Sequence, residues 1–238
     1  MNLSACLPTT GASPDCCAEL ADMGFRELQL SMSSVSQEAA LGDWKQAAEK
    51  AGLQIDALFL DPLTRFGMRE APGTQPRKKA EQILHEAADM AHRLGVKRLV
   101  IPCRGASAVR NRDDLLYTAH CVRLACAVAR RYGLETVLAD LPPEAGASLA
   151  RSSGYTNIAL SLRLAPPYAV PDAIRTREMP TMEAAEAVPV RELRLESSLA
   201  GGLPRLSAAL DDILNRTNYA LVLECPATVR PEAQQQAC

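Results

Sequence analysis

Lysine and histidine are both scarce in this chain, and each shortage excludes something. Of 26 lysines and arginines only five are lysines, Lys45, Lys50, Lys78, Lys79 and Lys97, and the formal net charge is -2. At a sequence pI of about 6.0 no basic excess exists to neutralise a nucleic-acid backbone or an anionic bilayer, so neither is expected as a partner. The three histidines, His85, His92 and His120, fall in stretches with helical patterning, so none stands at the end of an expected strand to serve a metal.

Long apolar runs are also missing. No stretch reaches the ~18 consecutive apolar residues of a membrane span. The opening MNLSACLPTTGASPD has neither a cationic start nor an apolar core, so no export or transit signal is expected and the protein is read as cytoplasmic. Cysteine is present at 6, 16, 17, 103, 121, 126, 225 and 238, but without zinc-ribbon spacing, and most of these read as small buried hydrophobes. Neither a GxGxxG nor a Walker A loop follows the first expected strand, which disfavours an open doubly wound sheet. Aromatics make up 4%, and Trp44 and Phe59 read as packing residues.

What is present is an alternation. Strand-like Asn2–Leu7 precedes a helix at Pro14–Met23, Gly24, and the strand in FRELQLS. A helix at Gln37–Ala51 leads through Gly52 to LQIDALFL, and the Pro- and Gly-rich DPLTRFGMREAPGTQPR reads as a long loop. The helix KKAEQILHEAADMAHRLG places Ile83, Leu84, Ala87, Ala91 and Leu94 on one stripe before the strand KRLVIP. Then come a helix at Asp113–Tyr132, the strand ETVLAD, a helix at Glu144–Ser153, and the strand NIALSL. A Pro-rich region from Ala165 to Ala187, the strand VRELRLES, a helix at Leu203–Arg216 and the strand YALVLE complete the series. Eight strands separated by helices predict an α/β fold, a single (β/α)₈ TIM barrel over residues 1–238. Residues 226–238 are expected to form an irregular tail, with the eighth helix short or missing.

Several of these segments resemble one group of barrels. ELADMGFRELQL, AEKAGLQIDAL, AADMAHRLGVKRLVI, CAVARRYGLETVLAD and NYALVLE are similar, in order and spacing, to the xylose-isomerase-like superfamily of sugar phosphate isomerases/epimerases and endonuclease IV. The resemblance implies a divalent metal at the C-terminal rim, held by acidic residues and histidines from different strands. Carried over, the fifth-strand acid falls on Asp140 and the eighth-strand acid on Glu224, but the second-strand Glu falls on Gln29. The sixth-strand Asp and its following His fall near Arg163 and Pro166, and the seventh-strand His near Arg194. The metal site is therefore degenerate, no cofactor is expected, and a divalent ion is disfavoured.

Arg163 and Arg194 would project where Asp140 and Glu224 project. Two accounts stay open: the arginines pair carboxylates in a disused site, or they bind an anionic ligand. Further rim candidates are Arg65 in the long loop and Cys103 and Arg104 after strand four. Asp140 and Glu224 are the candidate catalytic acid and base, and Arg163, Arg194, Arg104, Arg65, Gln29 and Cys103 the candidate ligand contacts. The expected function is a diverged isomerase, epimerase or lyase acting on, or binding, a small anionic polyol or sugar derivative. The alternative is a non-catalytic barrel serving as a ligand- or partner-binding subunit, and a homodimer or partner protein stays open. DNA repair would need a His-rich metal cluster and a basic face, and neither is visible.

Overall fold

The computed structural model of the chain describes residues 2–9, 12–33, 38–164, 188–196 and 220–224. Eight parallel strands close into a barrel in sequence order. They are β1 (Asn2–Pro8), β2 (Glu27–Ser31), β3 (Gln54–Phe59), β4 (Arg98–Pro102), β5 (Glu135–Ala139), β6 (Ile158–Leu164), β7 (Val190–Glu196) and β8 (Ala220–Glu224). Helices α1 (Cys16–Asp22), α2 (Glu38–Ala51), α3 (Gln75–Leu94), α4 (Arg112–Arg131) and α5 (Pro143–Ser153) cross between the first six strands. This is an α/β TIM barrel, as the alternation of strand and helix patterns predicts. The expected loop at 165–187, helix at 203–216 and tail at 226–238 lie outside the described residues.

The long loop after β3 is shorter than its composition suggests. It contains a 3₁₀ turn, Asp61–Thr64, and residues 75–77 belong to α3. Pro76 is tolerated there because the first helical turn has no backbone donor to lose. Arg77 is buried as a result: its Nη1 donates to the carbonyls of Met68 and Tyr117, both at 2.9 Å, and its Nε to Glu81 at 2.7 Å. These bonds tie the loop to α4. At the other end of α3 the stripe of Ile83, Leu84, Ala87 and Ala91 packs on the sheet, and Gly95 closes the helix with a φ of 74°.

Strand periodicity sorts the apolar residues into two cores. Leu3, Ala5, Leu28, Leu30, Leu58, Leu99 and Ile101 point out to the helices, while Cys6, Ala57, Phe59, Val100, Val137, Ala139, Ala159 and Val222 form a separate cluster inside the barrel. Branched apolar residues usually dominate a barrel interior. Here Cys6 and three alanines are small, which leaves volume for the long polar side chains described below.

The loop after β4 is locked against the turn after β3. Ser107 Oγ donates to Leu63 O at 2.5 Å and accepts from Met68 N at 3.2 Å. Gly105, with a φ of 61°, lies so close that a Cβ there would collide with the backbone carbonyl oxygen of Thr64. Gly105→Ala is therefore expected to destabilise the fold by about 1–3 kcal/mol through strain and displaced backbone. Urea denaturation checks this, and an unchanged midpoint would show that the two loops can separate freely.

Candidate active site at the barrel mouth

At the C-terminal ends of the strands, where barrel active sites are built, acidic and basic side chains interleave. Asp140 follows β5 directly and takes a φ of 62°, a left-handed conformation that Asp tolerates better than most residues. Its carboxylate is buried against the mouth, where Oδ1 accepts from Arg163 Nε at 2.8 Å. The same guanidinium donates from Nη2 to Glu224 Oε2 at 2.7 Å, so one arginine on β6 bridges the carboxylates of β5 and β8. Beneath them, Arg194 of β7 donates from Nη1 to Glu224 Oε1 at 3.2 Å. Arg104 reaches in from the β4 loop, 3.5 Å from Asp140 Oδ2 and 3.9 Å from Glu224 Oε2, with 43% of its side chain exposed. The guanidinium groups of Arg104 and Arg194 also lie over the Phe59 ring, at 5.4 and 4.9 Å.

Arg194 is wholly buried and satisfied on every side that its fork presents. Nη2 donates to Gln29 Oε1 at 2.6 Å and Glu192 Oε2 at 3.0 Å, and Nε donates to Ser161 Oγ at 3.2 Å. Burial opposes its charge, but Glu192, the Cys6 thiol and Glu224 outweigh that penalty and hold the guanidinium above its ordinary pKa. Arg163 is held above its ordinary pKa in the same way, with Glu224 and Asp140 overcoming burial. Cys6 sits inside the barrel beside Arg194, and burial pushes its thiol up to about 11 even though Arg194 pulls the other way.

The ionic chain continues downward through the barrel. Glu192 Oε1 accepts from Gln29 Nε2 at 2.6 Å and from Arg98 Nη1 at 3.2 Å. Arg98 in turn meets Asp56, and lies 3.6 Å from Glu27. Arg98 and Asp56 also line an open depression of about 360 Å³ at the N-terminal face with Lys97, Gly133, Glu135 and Arg191. That face is the end of a barrel usually given to stability.

Five of the expected residues, Asp140, Glu224, Arg163, Arg194 and Arg104, thus meet in one cluster, and Gln29 supports it from below. Two do not join it. Arg65 donates to the backbone carbonyl of Ser33 at 2.6 Å, bridging the loops after β2 and β3. Cys103 is buried in the layer between sheet and helices, its Sγ 3.9 Å from Ile101 O, and burial drives its thiol far above the ordinary range. The sequence reading missed Glu192, Arg98 and Ser161, while Phe59 packs inside the barrel as expected and also lies under two guanidinium groups. A signal for Glu192 existed, because VRELRLE alternates charged and apolar residues where a parallel strand normally runs apolar throughout.

Among the described residues, the donor set at the mouth does not fit a divalent metal. Glu224 meets Arg163 and Arg194, Asp140 meets Arg163 and Arg104, and a dication between the carboxylates would face fixed positive charge. Among the described residues, no three His, Cys, Asp or Glu side chains group in a way that could hold a metal ion.

No protein-family model matches the chain, and no curated protein matches it. Solved structures do. D-psicose 3-epimerase with D-tagatose from Clostridium cellulolyticum H10 superposes with a TM-score of 0.67 at 16% identity, over 94% of this chain and 84% of that one. A family 2 AP endonuclease from Brucella melitensis gives 0.69 at 15% identity, over 94% and 92%. A sugar phosphate isomerase/epimerase from Parabacteroides distasonis ATCC 8503 gives 0.62 at 14% identity, over 100% and 90%. At these identities the likeness shows the fold: the chain shares the TIM-barrel fold of these proteins. That fold carries both epimerases and an AP endonuclease among these neighbours, so it does not by itself determine the chemistry of this chain. Among the described residues no helix is long and apolar enough to cross a membrane.

Proposed function

We propose that this barrel binds a small anionic polyol or sugar derivative at its C-terminal mouth and moves a proton on it without a divalent metal. The observation that carries this reading is the convergence of Asp140 and Glu224 on the guanidinium groups of Arg104, Arg163 and Arg194. Proton abstraction next to a carbonyl needs a carboxylate within reach and positive charge where the oxyanion develops. Here the carboxylates supply the first and the arginines the second. Arg104 is the group best placed to meet an incoming anion. It is partly exposed and its contacts to both carboxylates are long, so recruiting it breaks no short hydrogen bond.

A second reading is favoured by one specific feature. Asp140 and Glu224 are both already paired with arginine, the arrangement expected if charged residues merely neutralise one another in a binding or partner subunit. Anion binding at the mouth, which both readings allow, is tested directly. Wild-type protein and Arg104→Gln are titrated with sugar acids and sugar phosphates in the presence of a chelator, with binding followed by calorimetry. Binding that survives chelation and weakens about tenfold or more in Arg104→Gln is expected. Binding that vanishes with chelator would overturn the metal-free reading, and an unaltered affinity in Arg104→Gln would remove Arg104 from the site.

A further inference from the structure

One carboxylate oxygen at the mouth has no hydrogen bond. Asp140 Oδ1 accepts from Arg163, but Oδ2 is buried and accepts nothing, and the contact of Arg104 Nε with it at 3.5 Å is an ion pair only. A buried acceptor left without a donor is costly, and the left-handed backbone at Asp140 adds strain. A vacant, buried acceptor on a strained residue, roofed by a half-exposed arginine, has the form of a ligand contact.

We propose that the ligand is a polyol monocarboxylate whose 2-hydroxyl donates to Asp140 Oδ2 while its carboxylate meets Arg104. This rests on the reading above that an anionic polyol enters the mouth. Three considerations narrow it to this class. First, Arg104 Nε and Asp140 Oδ2 lie side by side at 3.5 Å, a spacing that suits a hydroxyl and an anionic group on neighbouring carbons. Second, drawing Arg104 onto a ligand removes the contact at Asp140 Oδ2 and leaves that oxygen without a hydrogen bond unless the ligand brings a donor of its own; a hydroxyl does and a bare anion does not. Third, Arg104 and Arg163 are already matched by Asp140 and Glu224. A carboxylate adds one negative charge, whereas a phosphate ester adds about 1.5 to 2 at neutral pH. The mouth therefore selects a hydroxy acid over a phosphate ester and over a neutral polyol.

The test uses the whole chain and four probes in calorimetric titration: D-gluconate, 2-deoxy-D-gluconate, inorganic phosphate and sorbitol. D-gluconate is expected to bind about tenfold or more tightly than its 2-deoxy analogue, and more tightly than phosphate or sorbitol. In Asp140→Asn the preference for gluconate over the 2-deoxy acid should fall to about one, because the acceptor is gone; Asn also tolerates the left-handed backbone. Arg104→Gln should weaken both acids about tenfold or more and keep their ratio. Equal affinity for the two acids in wild type, or a preference that persists in Asp140→Asn, overturns the hydroxyl contact. Phosphate bound as tightly as gluconate overturns the hydroxy-acid assignment while the anion-binding reading stands. Failure of every anionic probe to bind overturns both.

Discussion

Replacing Arg194 by methionine is expected to lower folding stability by about 3–5 kcal/mol. Methionine approximates the length of the arginine stem but not its fork. It removes the donors to Gln29, Ser161, Glu192 and Glu224 at once and leaves Glu192, itself wholly buried, with Arg98 as its remaining cation. Arg194→Lys should fall between, because an ammonium keeps the charge but cannot satisfy acceptors on four strands. Pairing Arg194→Met with Glu192→Leu should recover a substantial part of the loss, since an apolar pair of similar volume often replaces a buried ion pair with little penalty. Equilibrium unfolding in urea measures all three. A deficit below about 1 kcal/mol in Arg194→Met would mean that water or backbone movement already compensates the carboxylates, and that the interior is less rigid than its hydrogen bonds imply.

The scaffold and the interior differ in how far the sequence revealed them, and the reason is physical. Helix stripes such as Ile83, Leu84, Ala87 and Ala91, and stop residues such as Gly95, are local signals that depend on spacing along the chain. They were enough to place all eight strands. The junction at Gln75–Arg77 was misplaced because proline in a first helical turn looks the same in sequence as proline in a loop. The polar axis is a different kind of feature. Arg98, Gln29, Glu192 and Arg194 come from strands far apart in sequence and touch only because closure and register bring their inward faces together. A resemblance to a family with rim ligands directed attention to Arg163 and Arg194 but gave no reason to look below the rim, at Glu192 and Arg98. Cys103 went the other way. It stands one residue past β4, where either face was open to it, and the fold turned its thiol toward the helices.

If the mouth moves a proton, Asp140→Asn and Glu224→Gln should each lower exchange of a substrate carbon-bound hydrogen with solvent by about 10²–10⁴-fold. Exchange into substrate from heavy water, followed by NMR, is the readout of choice because it detects proton abstraction without knowledge of the product. Both substitutions keep the shape of the side chain, and asparagine keeps the backbone at residue 140. The two losses should not multiply in the double variant. Arg163 holds both carboxylates through one guanidinium, Nε to Asp140 and Nη2 to Glu224, so removing either charge reorients the arginine that positions the other. A double variant no worse than about the weaker single variant would identify the pair as one unit. Full multiplication would mean that the two carboxylates act at separate atoms of the substrate with no coupling through Arg163. Wild-type protein that binds a sugar acid tightly yet exchanges none of its hydrogens would decide for the binding-subunit reading, with the arginines as recognition groups and the carboxylates as their counter-ions.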